Sequence, residues 1–323
     1  MPHQGLDLPV VTQLSPAPAT LVAGECGTIG ISGGRYSYWL YKESTNTKFA
    51  RFDHFANTWQ NLEPPPTGAW AFGATNSIAY DEPNGWVWVY MTGVTGGTAV
   101  LLRFDVATLA WKTPNITTDV PVLTTATAMC VAGRKRAQWS GAQAVEGNGF
   151  VYLVGGGDQH IFRCNPAGGA VTQLAVRGAL PGLGCGLVWA PDVDPDKLVS
   201  PQGGGSVANV DVYSIEDNTW NNAPVLKPAA DIPAAGYAWA HCTLMPHTMF
   251  MRVAGGKVMR VDLASGTYDV SPACTLDVTE TSPDQHGAFV ATGVVEAPGT
   301  VHEFIFTQKF SGTEFRRVEL VPE

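Results

Sequence analysis

Residues 51–59 read RFDHFANTW, and residues 103–111 read RFDVATLAW. Arg, Phe and Asp open both stretches and Trp closes both. Three looser copies follow: Arg163-Cys164-Asn165 with Val171, Val212-Tyr213-Ser214 with Trp220, and Arg260-Val261-Asp262 with Tyr268. In all five the opening residue precedes the bulky closing residue by eight positions. The pattern predicts a hairpin: a strand, a polar turn carrying Asn57, Thr108 or Asn218, and a return strand anchored by a large side chain. The copies start at 51, 103, 163, 212 and 260, so the steps are 52, 60, 49 and 48 residues. That period suits one four-stranded sheet per repeat.

Upstream of several copies an apolar strand runs into glycines: VWVYMTGVTGG to Gly96-Gly97, FVYLVGGG to Gly155–Gly157, and MFMRVAGG to Gly255-Gly256. Glycine there permits a tight turn or the close approach of a neighbouring sheet. A strand ending in two glycines, then an aromatic–Asp pair, a turn and a Trp, resembles the kelch motif. Phe52-Asp53 with Trp59 and Phe104-Asp105 with Trp111 fit it; Tyr213 and Trp220 fit with Ser214 in the Asp place; the copy at 163–171 lacks both aromatics. The resemblance implies an all-β, kelch-like β-propeller.

A sixth copy, Arg317-Val318-Glu319, stops at Glu323 before any return strand. VTQL occurs at 171–174, on the outer strand of the third repeat, and again at 11–14. The N-terminal VTQL is therefore expected to complete the last blade and to cover its open edge. The expected architecture is one six-bladed domain: 1–16 closing strand, then blades at 17–66, 67–120, 121–180, 181–232, 233–275 and 276–323.

Composition agrees with short strands and frequent turns. Apolar residues make 45% of the chain and charged residues 15%, with 36 Gly and 23 Pro, and no long amphipathic helix is visible. A net charge of −9 disfavours nucleic acid and anionic membranes as partners. No apolar run is long enough for membrane insertion, and MPHQGLDLPVV has no signal-peptide pattern, so cytoplasmic synthesis is expected. Cys26, Cys130, Cys164, Cys185, Cys242 and Cys274 form no CxxC pair and read as buried free thiols.

Chemistry-bearing motifs are few. Gly30-Ile31-Ser32-Gly33-Gly34 matches GxSxG but lies between strands, where a nucleophile elbow needs a strand–turn–helix, so a β-turn is expected. Asp192, Asp194 and Asp196 alternate like the start of a calcium loop but lack its Gly and distal Glu, which favours a hairpin tip. The seven histidines form no HxH or HExxH, so no metal site and no cofactor is read.

The loops leading into the innermost strands are the candidate ligand or partner face. They are read as Trp70 before Ala71, Arg134-Lys135-Arg136 before Ala137-Gln138-Trp139, Trp239 before Ala240-His241, and His286 before Gly287. Kelch repeats carry an Arg and a His at this position, which Arg136 and His286 resemble. Three functions compete: a non-catalytic interaction propeller, a carbohydrate-binding module stacking on Trp70, Trp139 and Trp239, and a sugar- or sugar-acid-modifying enzyme using Arg136, His241 and His286. The first is preferred, with protein partners and no catalytic residue. Within it, the chain resembles propeller-bearing virion proteins of tailed bacteriophages (tail, nozzle or decoration), which implies a multi-subunit particle.

Overall fold

The structure is a computed structural model of the chain. It describes residues 10–19, 26–29, 35–43, 46–66, 70–71, 76–81, 84–93, 97–117, 119–132, 149–167, 169–182, 185–189, 194, 196–202, 210–221, 238–241, 248–253, 257–262, 268–275, 289–297, 300–308 and 313–320. For 10–11, 26–29, 42, 70–71, 125–126, 201, 318, 320 and the strands between 238 and 308 the description is of main chain only.

All regular structure among these residues is strand, arranged in antiparallel sheets that succeed one another along the chain. The first sheet holds Cys26–Ile29, Tyr36–Glu43, Asn46–Asp53 and Thr58–Leu62. In the second, Trp70–Ala71 and Ser77–Asp81 both pair with Trp86–Gly93, followed by Ala99–Asp105 and Ala110–Ile116. The third runs Thr125–Val131, Val151–Gly156, His160–Cys164, Thr172–Val176, and the fourth Val188–Trp189, Lys197–Pro201, Val210–Ser214, Thr219–Asn221. The fifth contains Ala238–His241, Thr248–Val253, Lys257–Asp262 and Tyr268–Thr275. The last contains Phe289–Ala297, Thr300–Gln308, Phe315–Leu320 and, from the other end of the chain, Val10–Gln13.

The innermost strand of each sheet, Ser77–Asp81 in the second, touches that of the next, and Phe289–Ala297 touches Cys26–Ile29. Between successive sheets lie the apolar cores. Tyr38, Phe49, Phe104 and Trp111 fill the space between the first and second sheets. Trp88, Leu101, Met129 and Leu153 fill that between the second and third, and Tyr152, Ile161, Leu198 and Tyr213 that between the third and fourth. The fold is a β-propeller. Because strands alternate in direction, the start of each innermost strand, the second turn of each sheet and the connection to the next sheet all lie at one end, called here the leading face.

The repeated nonapeptide is the hairpin at the outer edge of a sheet. Phe52 pairs with Trp59, Phe104 with Trp111, Tyr213 with Trp220 and Val261 with Tyr268. Its Asp is a turn cap: Asp53 Oδ1 accepts the N–H groups of Phe55 and Ala56, and Asp105 Oδ1 those of Ala107 and Thr108. Arg35 and Lys112 then neutralise Asp53 and Asp105, each at 2.7 Å. The left-handed turn residue is Asn57 (φ 53°), Leu109 (φ 54°) or Asn218 (φ 52°), one position beyond the Thr108 expected for the second copy.

The two VTQL segments sit alike. Thr172 faces Arg163 and Gln173 faces Phe162; Thr12 faces Arg317 and Gln13 faces Arg316. Val11 faces Val318, taking the place that Trp59 holds against Phe52. The residue after each VTQL then docks on the following sheet in the same way. Ser15 N–H donates to Asn57 Oδ1 (2.9 Å) and accepts the Trp59 indole N–H on its carbonyl (3.1 Å). Ala175 N–H donates to Asn218 Oδ1 (3.0 Å) and accepts the Trp220 indole N–H (3.3 Å). Glu63, four residues past Trp59, accepts the Trp111 indole N–H at 2.9 Å, while Leu109 replaces the Asn. One latch thus recurs between successive sheets, built from the turn Asn and the closing Trp. Asn218→Ala removes the acceptor and leaves at a left-handed φ a residue that tolerates it less well than Asn, which together cost about 2 kcal/mol. Chemical denaturation should show a lower midpoint with unchanged slope.

The seam between the last and the first sheet is aromatic. The Phe315 ring lies 5.1 Å from Trp39, 4.8 Å from Phe52 and 5.0 Å from Trp59. His54 is buried beside Phe52 (5.2 Å), and burial pulls its pKa down to about 3, with Arg317 lowering it further and Asp53 opposing. A folded pKa below the unfolded value near 6.5 means that only the unfolded chain takes up the proton between these limits. Stability is therefore lost as pH falls from about 6.5 toward 3, by roughly 1.4 kcal/mol per unit, or about 2 kcal/mol at pH 5. His54→Gln should flatten that part of a stability–pH profile measured by denaturant titration.

Candidate functional site

The leading face is best described around the third sheet. The connection 117–124 is held by Tyr90, whose hydroxyl donates to the Pro121 carbonyl (2.8 Å) and accepts the Leu123 N–H (2.9 Å). Burial raises this phenol to about 12, so it stays a neutral hydrogen-bonding post. Thr124 N–H donates to the Gly156 carbonyl (2.9 Å), tying the connection to the turn 156–160. Gly157 in that turn has φ +91°, and a β-carbon there would stand 2.5 Å from Thr124 Oγ1, so only glycine lets the two loops meet. In the same turn Asp158 Oδ1 contacts His160 Nδ1 at 2.6 Å and accepts the His160 N–H at 2.9 Å.

Next to this turn is a buried ion pair that sequence reasoning missed. Arg177 N–H donates to the Gln159 carbonyl (2.8 Å), and its side chain crosses to the fourth sheet. There Nε donates to Asp211 Oδ2, Nη1 to Ser200 Oγ (3.0 Å) and Nη2 to the Ser200 carbonyl. Ser200 Oγ donates to the Gly186 carbonyl (2.6 Å), Gln202 Nε2 donates to both Asp211 oxygens, and the guanidinium lies 5.0 Å from the Trp220 ring centroid. Both charged side chains have no solvent exposure. The group is a staple between two sheets, its polar atoms matched as burial of charge requires.

The side chains of the sequence-predicted face fall outside the described ones. The innermost strand of the third sheet is Thr125–Val131, not the stretch around Ala137. Arg134, Lys135, Arg136 and Trp139 therefore follow that strand instead of leading into it, and they lie outside the described residues. His286, ahead of Phe289–Ala297, is also outside the described residues. Trp239 and His241 stand within Ala238–His241, opposite Met251 and Met249, rather than in a loop. Trp70 opens the two-residue strand at the inner edge of the second sheet, opposite Gly93. Only the main chain is described at Trp70, Trp239 and His241.

The described parts of the remaining motifs are turns and core. Gly30–Gly34 falls outside the described residues, between two antiparallel strands of one sheet. Of the alternating acids, Asp192 is outside the described residues; Asp194 Oδ1 accepts the Asp196 N–H. Asp196 accepts from Ser214 Oγ, the Glu216 N–H and Lys197 Nζ, which makes it a hairpin cap. Among the described residues no cluster of His, Cys, Asp and Glu has metal-binding geometry. Cys130, Cys164 and Cys185 are buried thiols in no disulfide; burial raises all three, Cys164 to about 11 and Cys185 to about 12, as befits packing groups.

No protein-family model matches the chain, and no curated protein matches it. Among solved structures, a structural-genomics protein of unknown function from Bacteroides thetaiotaomicron is 12% identical with a TM-score of 0.55, over 96% of this chain and 75% of that one. This likeness is one of fold. YCF48 bound to D1 peptide is 13% identical with a TM-score of 0.42, over 100% of this chain and 99% of that one. TolB from Acinetobacter baumannii is 11% identical with a TM-score of 0.44, over 91% of this chain and 53% of that one.

Proposed function

We propose that this chain is a six-bladed, kelch-like propeller whose N-terminal strand closes the ring, and that it serves as a non-catalytic module presenting its loops to protein partners. The cyclic succession of touching innermost strands and the pairing of Val10–Gln13 with Phe315–Leu320 support the six-bladed reading. The observation that carries the function is where apolar surface is left open. Four large apolar side chains are exposed among the described residues: Phe55, Val122, Val176 and Leu180. Three of these, Val122, Val176 and Leu180, belong to the leading face beside the third sheet, Val122 and Leu180 on connections and Val176 at the end of the outer strand, next to the fixed groups Tyr90, Gly157 and Arg177. A rigid disc with preformed apolar loops loses little freedom on docking, which favours binding.

The glycan alternative rests on Trp70, Trp139 and Trp239, whose side chains lie outside the description, and no described feature favours it. The virion reading belongs to the same proposal as one setting for a multi-subunit partner. Covalent cross-linking of the tagged chain in its native extract, followed by mass spectrometry, should recover a protein partner at fixed stoichiometry. Recovery of the chain only as an unattached monomer would count against the proposal.

A further inference from the structure

We infer that the leading face around the third sheet is the docking surface itself, and that its occupant is a cationic, apolar peptide segment of the partner. The inference deepens the interaction reading above and rests on it. Continuity of the surface comes from the hydrogen bonds. Connection 117–124 is bound to turn 156–160 through Thr124 and Gly156, and that turn is bound to segment 176–180 through Gln159 and Arg177. His160 and Val176 are also register partners in the sheet. Val122 (37% exposed), Val176 (53%) and Leu180 (57%) therefore stand on one hydrogen-bonded ridge.

Charge selects the partner. Among the described residues, the leading-face segments of the second to fourth sheets (63–66, 93, 97–98, 117, 119–124, 156–160, 177–182, 185–187 and 202) contain the acids Glu63, Asp119 and Asp158. Their sole Lys or Arg is Arg177, which is buried against Asp211 and offers nothing to solvent. His160 adds positive charge only when protonated, beside Asp158. An apolar ridge flanked by carboxylates and without an exposed Lys or Arg complements Lys or Arg set among Leu, Val or Ile. Phe55, the fourth exposed apolar residue, has a different setting. It lies at the opposite end of the first sheet, with the Arg35 guanidinium 5.8 Å from its ring centroid.

Selection from a random dodecapeptide library on the parent protein tests this. Binders should be enriched in Lys or Arg together with aliphatic residues. Their affinity should fall at least tenfold between low and physiological salt. In fluorescence anisotropy a synthetic Lys–Leu dodecapeptide should bind, and its Glu–Leu counterpart should not. Val176→Asp/Leu180→Asp, both at exposed positions, should weaken binding at least tenfold with an unchanged melting temperature, and Phe55→Asp should leave it intact. Binders of another composition, or binders indifferent to Val176→Asp/Leu180→Asp, overturn the docking surface while leaving the interaction reading standing. A library that yields no binder overturns both.

Discussion

Deleting residues 1–16 should lower the melting temperature by on the order of 5–10 °C and broaden the transition. The deletion removes the strand facing Arg316–Glu319, the buried side chain of Leu14 with its N–H bond to the Phe315 carbonyl, and Ser15, the acceptor for the Trp59 indole. Main-chain bonds contribute about 1 kcal/mol each and a buried Leu about 2 kcal/mol, partly offset by the ordering entropy no longer spent on the strand. The net loss is about 3–5 kcal/mol. Phe315, fully buried against Trp39, Phe52 and Trp59, would lose its cover. Adding a synthetic peptide of residues 8–17 should restore part of the lost stability in a concentration-dependent way, because the peptide binds the folded form alone. Differential scanning calorimetry of the truncated chain, with and without peptide, checks both parts. An unchanged melting temperature would remove the strand from the sheet.

Arg177→Ala should cost about 3–5 kcal/mol, the usual consequence of leaving a buried carboxylate without its counter-charge. Asp211 would keep Gln202 as a donor but lose the guanidinium, and both the Ser200 carbonyl and Trp220 would lose a partner. Replacing the pair together, Arg177→Met with Asp211→Leu, should recover most of the loss, because no unpaired charge then remains buried. Denaturant unfolding of the two single variants and the double variant gives the coupling directly. A small, additive effect at the two sites would show that the pair is solvated and does not join the third and fourth sheets.

What could be read from the sequence was local or repeated. The hairpin from Arg51 to Trp59 declares itself because Phe–Asp, an Asn in a left-handed turn and Trp fall within one strand–turn–strand unit. The role of the first VTQL was legible because its twin pairs in the same register within a complete sheet. The Arg177 staple was not legible. Its partners Ser200 and Asp211 are 23 and 34 residues away, and an Arg after an outer strand looks like any solvated cation. The innermost strand of the third sheet was not legible either. That strand, Thr125–Val131, reads TATAMCV and is made mostly of small residues, because it packs between neighbouring sheets. Its Ala128, Met129 and Cys130 are buried, and such residues carry no turn or aromatic marker.

The central claim, that the two chain ends share one sheet, is tested most directly by hydrogen–deuterium exchange on the unmodified protein. Peptides covering Val10–Ala17 and Phe315–Leu320 should be protected to a similar degree and should open together as denaturant is added, since they form one ladder. Complete exchange of Val10–Gln13 within seconds, while Phe315–Leu320 remains protected, would contradict it.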